Sequence, residues 1–396
     1  MSKLNVLISH TSVYKQSGWG RIFPLALGLV KNGNKVTILT TNPNFSFFIK
    51  KEIVSDIEII IFPEIAPKKL SRMGFGFLSL FFKIIHVLFN QYDVVHTDNG
   101  HRPSSGIPCR LHKRLHHSIY VAEWYDWYGK GGAYDHKHKL FKILFGWYEL
   151  KYEIKDKKFA DGVVVLSEVL KERAEQFKQP ERIIKIHGGA DVFSIPFLYD
   201  NSKIKENYAI PQDTLTLGYI DRTGSDLEEI MPIINVLSNF DLKTKIKIVQ
   251  FGESNNIFKN ISHEIRDKFI LFGWIDFSKE YEKLQCVDVF FLFKEDVLTS
   301  KAGWPNCIGD YLACGRPILL NPVGEVIDFV KKYPFPFIVT SREEKDICAK
   351  IQYIIKNKEV LKEKGPSIRN LAEDVISWDS KSKILLDFYH TLLSIK

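Results

Sequence analysis

The chain has 396 residues, 45% of them apolar, and a formal net charge of +8. That length allows two domains of ordinary size, each with its own core, and the composition excludes a disordered or fibrous chain. The five scattered cysteines include no CxxC pair, which argues for a reducing compartment and against a zinc site.

Charge is uneven along the chain. Residues 1–200 hold 28 Lys and Arg against 19 Asp and Glu, whereas the rest holds 27 against 28. A basic first half predicts contact with something anionic: a membrane surface, a phosphorylated acceptor or nucleic acid. No RNA-reading motif accompanies it, so nucleic acid is not expected as a partner. Met1 to Leu4 run straight into a predicted strand, which leaves no signal peptide and predicts a cytoplasmic protein.

Short β-branched runs alternate with amphipathic helical segments. In the first half the runs are LNVLIS, KVTILT, IEIIIF, DVVH, SIYVA, GVVVLS and IIKIH; in the second they are LTLGYI, KIKIVQFG, KFILFG, VDVFFLF, RPILL and PFIVT. Continuous apolar runs of this kind predict parallel strands buried on both faces. Two series predict two doubly wound, Rossmann-like domains of α/β class facing a central cleft, with domain ranges 1–200 and 201–377. The polar, proline-containing stretch 195–212 marks the break.

Ligands in such folds sit beyond the carboxyl ends of strands, so the residues there matter most. After the first strand, Ser17, Gly18, Trp19 and Gly20 make a turn that lets backbone approach a phosphate or a sugar. It is not a GxGxxG fingerprint, and no acidic residue ends the second strand, so nicotinamide binding is not expected. The fourth strand ends in DVVHTDNGHRP, offering Asp98 and His101 on the acceptor side. The fifth ends in YVAEWYDWYGKGG, offering Glu123 and Asp126 as catalytic carboxylates and Trp124 as an aromatic face for a sugar. No HExxH, Walker loop, GxSxG or DxD is present, so neither metal nor any other cofactor is expected.

In the second half, Arg222 stands just past a predicted strand, where its planar fork could clamp a diphosphate. Gly252 closes the next strand, where backbone could meet a flat base. The stretch GWPNCIGDYLACGRPI (303–318) predicts a short helix opened by Pro305 and closed by Gly315, with Asn306 and Asp310 on one face. Residues 68–90 pair Lys68, Lys69 and Arg72 with a Phe- and Leu-rich helix too short to span a bilayer. Two readings stand there: a helix packed on the sheet, as every doubly wound domain needs, and as the alternative peripheral contact with the inner face of the membrane. The segment HKHKLFKILFGWYELKYEIKDKK adds a second basic and aromatic stretch.

Taken together, four segments in order resemble the glycosyltransferase family 4-like group of the GT-B fold. They are GVVVLSEVLKERAEQF with ERIIKIHGGADVF, FILFGWIDFSKEYEKLQCVDVFFL, GDYLACGRPIL and ISWDSKSKILLDFYHTLL. The resemblance implies transfer of a hexose from a nucleotide-sugar donor to a glycan or lipid-linked acceptor, with retention and without metal, in polysaccharide or glycoconjugate synthesis. It implies a donor site in the second domain, with Asp310 on the ribose, Arg222 on the diphosphate and Gly18 near the phosphates. Lys301, Trp304 and Asn306 fall in the same donor region. It also implies that a closing helix, 378–396, crosses back to the first domain. Where the family has a glutamate for the donor sugar, this chain has Ala302, and GFG has become GWP. A sugar-nucleotide epimerase of the same fold and a non-catalytic binding protein derived from it are the alternatives.

Overall fold

A computed structural model describes residues 3–221, 227–242, 245–253, 261–276 and 279–396. The chain groups into two compact units: residues 1–188 with 301–304 and 378–396, and residues 189–300 with 305–377. The second unit starts at Gly189, earlier than a boundary at 200, because the stretch after 188 is hydrogen-bonded into it. Ala190 N donates to the Ile376 carbonyl, and Arg369 donates to the carbonyls of Val192 and Ile195.

The first unit holds an eight-stranded sheet. Its strands are β1 (Asn5–Val13), β2 (Lys35–Thr41), β3 (Lys50–Val54), β4 (Ile57–Phe62), β5 (Val94–Thr97), β6 (Ile119–Trp124), β7 (Gly162–Val165) and β8 (Ile183–Lys185). The order is β3-β4-β2-β1-β5-β6-β7-β8, and every pair is parallel except β3 with β4. Strand β3 is absent from the apolar-run reading for a physical reason. Lys50, Lys51 and Glu52 are exposed, and a charged outermost strand protects a sheet edge instead of filling a core.

Pleating sends alternate residues of β1 to opposite layers. Val6 and Ile8 pack with α1 (Trp19–Lys31) and with the closing helix Trp378–Ser394, through Leu385 and Tyr389. Leu7 packs on the other face, in a cluster with Val87 and Cys109. That layer holds α2 (Lys68–Arg72), α3 (Phe77–Phe89) and α4 (Pro103–His116), followed by α5 (Lys139–Phe159) and α6 (Glu168–Glu175). Among the described residues no helix is long and apolar enough to cross a membrane.

The second unit holds β9 (Leu215–Asp221), β10 (Ile246–Gly252), β11 (Phe269–Gly273), β12 (Val289–Leu292), β13 (Ile318–Leu320) and β14 (Phe337–Val339). All pairs are parallel, in the order β11-β10-β9-β12-β13-β14. Leu217, Ile248, Phe291 and Leu319 are buried with Ile233, Ile347 and Ile351 from two covering helices. Each such side chain contributes about 1.5–3 kcal/mol by leaving water. The α/β fold with two parallel sheets is thus borne out.

The stretch 303–318 folds as a helix over Cys307–Ala313, later than Pro305 suggested, with Asn306 at the N-cap. Gly315 takes a φ of +68°, and a Cβ there would meet the Phe197 ring at 2.4 Å, so this helix end requires glycine.

Candidate active site

The carboxyl edge of the first sheet gathers Asp98, His10, Glu123 and Asp126, with Lys83 of α3 bonded to the His10 backbone. The turn after β1 reaches Gly18 at a φ of +86°, and α1 begins at the next residue. A Cβ on Gly18 would lie 2.8 Å from Asp98 Oδ2 and 3.5 Å from the Tyr125 hydroxyl. Glycine is needed there for both the left-handed backbone and the close approach. Asp98, just past β5, accepts at Oδ1 from Thr11 N at 2.9 Å and from Thr11 Oγ1 at 2.7 Å. Its Oδ2 has no hydrogen-bond partner among the described residues. Burial pushes its carboxyl up to about 7, against the Thr11 hydrogen bonds.

His10 closes the other side. Its Nε2 lies 2.8 Å from the Ser17 carbonyl, so that nitrogen carries the proton, and Nδ1 faces Thr40 Oγ1 at 2.9 Å. Burial lowers the imidazole to about 3, so His10 is neutral and its 3.7 Å approach to Asp98 is no ion pair. On α3, the fully buried Lys83 donates to the His10 carbonyl at 2.8 Å.

Glu123, expected as a catalytic carboxylate, is engaged otherwise. Arg21 Nε donates to it at 2.7 Å, while the same guanidinium donates to the carbonyls of Ile186 and His187. Burial alone would raise Glu123, but Arg21 and His96 hold it down to about 2. It is a fixed anion that orients Arg21. Asp126 differs: it is half-buried and accepts no hydrogen bond among the described residues, and burial raises it to about 6 despite Lys137. Asp126 is the carboxylate of this edge still able to meet a hydroxyl.

Two acceptor-side expectations are corrected. The Trp124 ring is fully buried with Val163, Val165 and Leu170, and Arg173 covers it at 4.7 Å, so it offers no face to a sugar. His101 is also fully buried, beside Tyr128 and 3.9 Å from Glu149, inside the unit and not at its edge.

Lys301–Trp304 group with the first unit. Ala302 is fully buried in the Trp124 cluster, and its carbonyl accepts from Ser167 Oγ at 2.7 Å. Trp304 stacks on His187 at 4.4 Å with planes 6° apart. Buried in this way, Trp304 presents no open face to the donor sugar expected of it, and Lys301 is only half-buried beside it.

In the second unit the carboxyl edge carries Gly252 at the end of β10 and Asp310, which is nearly buried, on the helix Cys307–Ala313. Asn306 is exposed and makes no capping hydrogen bond, so it and Asp310 share a helix but not an environment. Arg222 follows β9 directly and lies outside the described residues. Among the described residues, no group of three or more His, Cys, Asp or Glu is placed to hold a metal ion.

Sequence reading missed His10, Arg21 and Lys294. His10 could have been found by its place just ahead of the Gly18 turn. Arg21 has no local signal, since its partner Glu123 is 102 residues away. Lys294, just past β12, forms an ion pair with Glu229.

Residues 21–192 match the family model described as Glycosyltransferase Family 4. No curated protein matches the chain. Sucrose-phosphate synthase from Thermosynechococcus elongatus is similar in structure, with a TM-score of 0.72 at 14% identity over 99% of this chain and all of that one. Anabaena HepE in complex with UDP-glucose aligns at 0.67 and 12% identity, over 98% of this chain and all of its own. The catalytic domain of Arabidopsis thaliana starch synthase IV, bound to ADP and acarbose, aligns at 0.66 and 13% identity over 99% of this chain and all of its own. The resemblance to the glycosyltransferase family 4-like group is therefore borne out, by the family model over residues 21–192 and by the GT-B fold over the whole chain.

Proposed function

We propose that the chain is a glycosyltransferase that moves a hexosyl group from a nucleoside-diphosphate sugar to a hydroxyl of a glycan or lipid-linked acceptor. We further propose retention at the anomeric carbon, no metal, and a role in cell-surface polysaccharide or glycoconjugate synthesis. The observation that carries this reading is the set Gly18, Asp98 and Asp126 at the carboxyl edge of a GT-B sheet. Relatives of the same fold in complex with UDP, UDP-glucose or ADP support a nucleoside-diphosphate leaving group.

In this reading the bond between the anomeric carbon and the diphosphate oxygen breaks, and the acceptor oxygen bonds to that carbon on the same face. The acceptor proton passes to the leaving phosphate. Arg222 neutralises the charge that grows on the diphosphate, and Asp310 and Gly252 face the nucleoside. Asp126 orients the acceptor hydroxyl. Catalysis of this kind is electrostatic, with charge placed before the reaction begins.

The test is release of nucleoside diphosphate from a panel of donor sugars, with and without sugar acceptors, followed by NMR of the product's anomeric configuration. Acceptor-dependent release with retention is expected. Conversion of donor into an isomeric donor without acceptor would instead identify an epimerase. No turnover together with no thermal shift by any nucleoside diphosphate would leave a binding protein built on Ala302 in place of the family's glutamate.

A further inference from the structure

Exposed apolar side chains are ordinary when scattered, but the first unit gathers them. On α5, Leu140, Ile143, Leu144 and Trp147 follow helical spacing and are each more than half exposed. The opposite side of the same helix packs inward, Phe141 and Phe145 meeting Phe75 at 5.5 and 4.5 Å. On α3, Phe77 and Phe81 stand one turn apart and equally open, and Phe47 and Phe48 project from the loop after β2.

Hydrogen bonds join these elements. Ser46 and Glu64 exchange backbone bonds at 3.0 Å, which ties the loop after β2 to the turn after β4. The Glu64 carboxylate then accepts from Ile65 N, Ala66 N and Ser79 Oγ, which ties that turn to the first turn of α3. All of them, and the start of α5 after β6, lie past the carboxyl ends of strands, as Gly18 and Asp98 do.

Charge singles out the occupant. The first acidic residue of the chain is Glu52; none lies between Glu64 and Asp93, and none between Asp135 and Glu149. Lys68, Lys69, Arg72 and Lys139 are exposed among the apolar side chains. A second copy of this chain would bring the same acid-free face and repel it. An anionic bilayer complements both the charge and the apolar side chains, and among the described residues no helix is long and apolar enough to cross it.

We propose that this face docks the first unit on an anionic lipid bilayer, carboxyl edge of the sheet toward the membrane, so that the acceptor reaches Asp126 from the lipid surface. The statement about the acceptor rests on the transferase reading; the docking does not.

The whole protein is sedimented with vesicles of phosphatidylcholine alone and of phosphatidylcholine with phosphatidylglycerol. Pelleting with the anionic vesicles, weakened by salt, is expected. At roughly fivefold per basic residue, the triple variant Lys68→Glu, Lys69→Glu, Arg72→Glu loses on the order of 100-fold in affinity. The double variant Ile143→Ser, Trp147→Ser loses about tenfold or more with an unchanged melting temperature, because both side chains are already in water. Brominated lipid quenches the wild-type tryptophan emission, and Trp147→Phe removes most of that quenching.

Failure of the wild type to pellet with anionic vesicles overturns the proposal. So does pelleting that both variants retain, or a dimer in light scattering that the double variant splits, which would make a second copy the occupant. Vesicle binding without turnover of any nucleotide sugar sinks the transferase reading and leaves docking standing; turnover of a soluble acceptor without vesicle binding does the reverse.

Discussion

The two units carry the same kind of parallel sheet; both bury carboxylates at its carboxyl edge, Asp221 and Asp310 in the second unit, but the second also buries an ion pair at the amino edge. In the first, Asp98 and the Glu123–Arg21 pair lie at the carboxyl ends of β5 and β6. In the second, the most buried ion pair joins Lys205 to Asp288 at 2.6 Å, and Asp288 precedes β12, at the amino end. Asp288 is fully occupied there, accepting also from Thr216 N and Asn201 Nδ2, with Lys358 at 3.4 Å. Buried charge marks a functional site with real weight only where ligands of such folds bind, and an amino-edge pair of this kind is structural.

The comparison breaks most visibly at Lys205. Lys205→Met removes the main partner of a buried carboxylate, a change that typically costs about 3–5 kcal/mol, and Lys358 keeps it near the lower figure. Denaturant unfolding should show that loss, while kcat/KM per folded molecule stays unchanged. A large fall in kcat/KM with unaltered stability would put function at the amino edge and undo the contrast.

Acidity separates the two carboxylates of the first unit. Glu123 is held down to about 2 from an ordinary 4.5, so its contribution is present above pH 4.5 and lost as the pH falls toward 2. That contribution is on the order of 3 kcal/mol. Asp98 is raised to about 7 from 3.8, so its contribution is full below pH 4 and is lost as the pH rises toward 7. Thermal melts across pH should therefore show Glu123→Gln flattening the acid limb and Asp98→Asn flattening the fall between about pH 4 and 7. An Asp98→Asn profile parallel to wild type would mean that Asp98 is ionised and paired in solution.

At the carboxyl edge of the second unit the expected effect is kinetic. Arg222→Ala should lower kcat/KM by about 100-fold, the usual order for removing one positioned charge stabiliser, with little change in melting temperature. A near-normal rate would remove Arg222 from the diphosphate site.

The sheets were legible in the sequence because buried parallel strands are continuous apolar runs, and thirteen of those runs appear as strands; β3 was not, because Lys50, Lys51 and Glu52 carry no such run. The strand-end rule led to Gly18, Asp98, Glu123 and Asp126. It could not say which of them is open, since that depends on Arg21, Thr11 and Lys83, partners far away along the chain. Trp124 misled because an aromatic residue at a strand end reads the same whether its ring faces solvent or the cluster that also buries Ala302.

Asn306 offers the smallest effect and the sharpest contrast with Lys205. An Asn at an N-cap normally adds about 1 kcal/mol by accepting from the backbone of the first turn. Here Asn306 is exposed and makes no capping bond, so Asn306→Ala should change stability by less than about 0.5 kcal/mol. If the side chain is open because a donor is its partner, the same variant weakens nucleoside-diphosphate binding several-fold in calorimetry at constant melting temperature. Unchanged affinity would remove Asn306 from the donor site and leave Asp310, on the buried side of the same helix, as that helix's contribution.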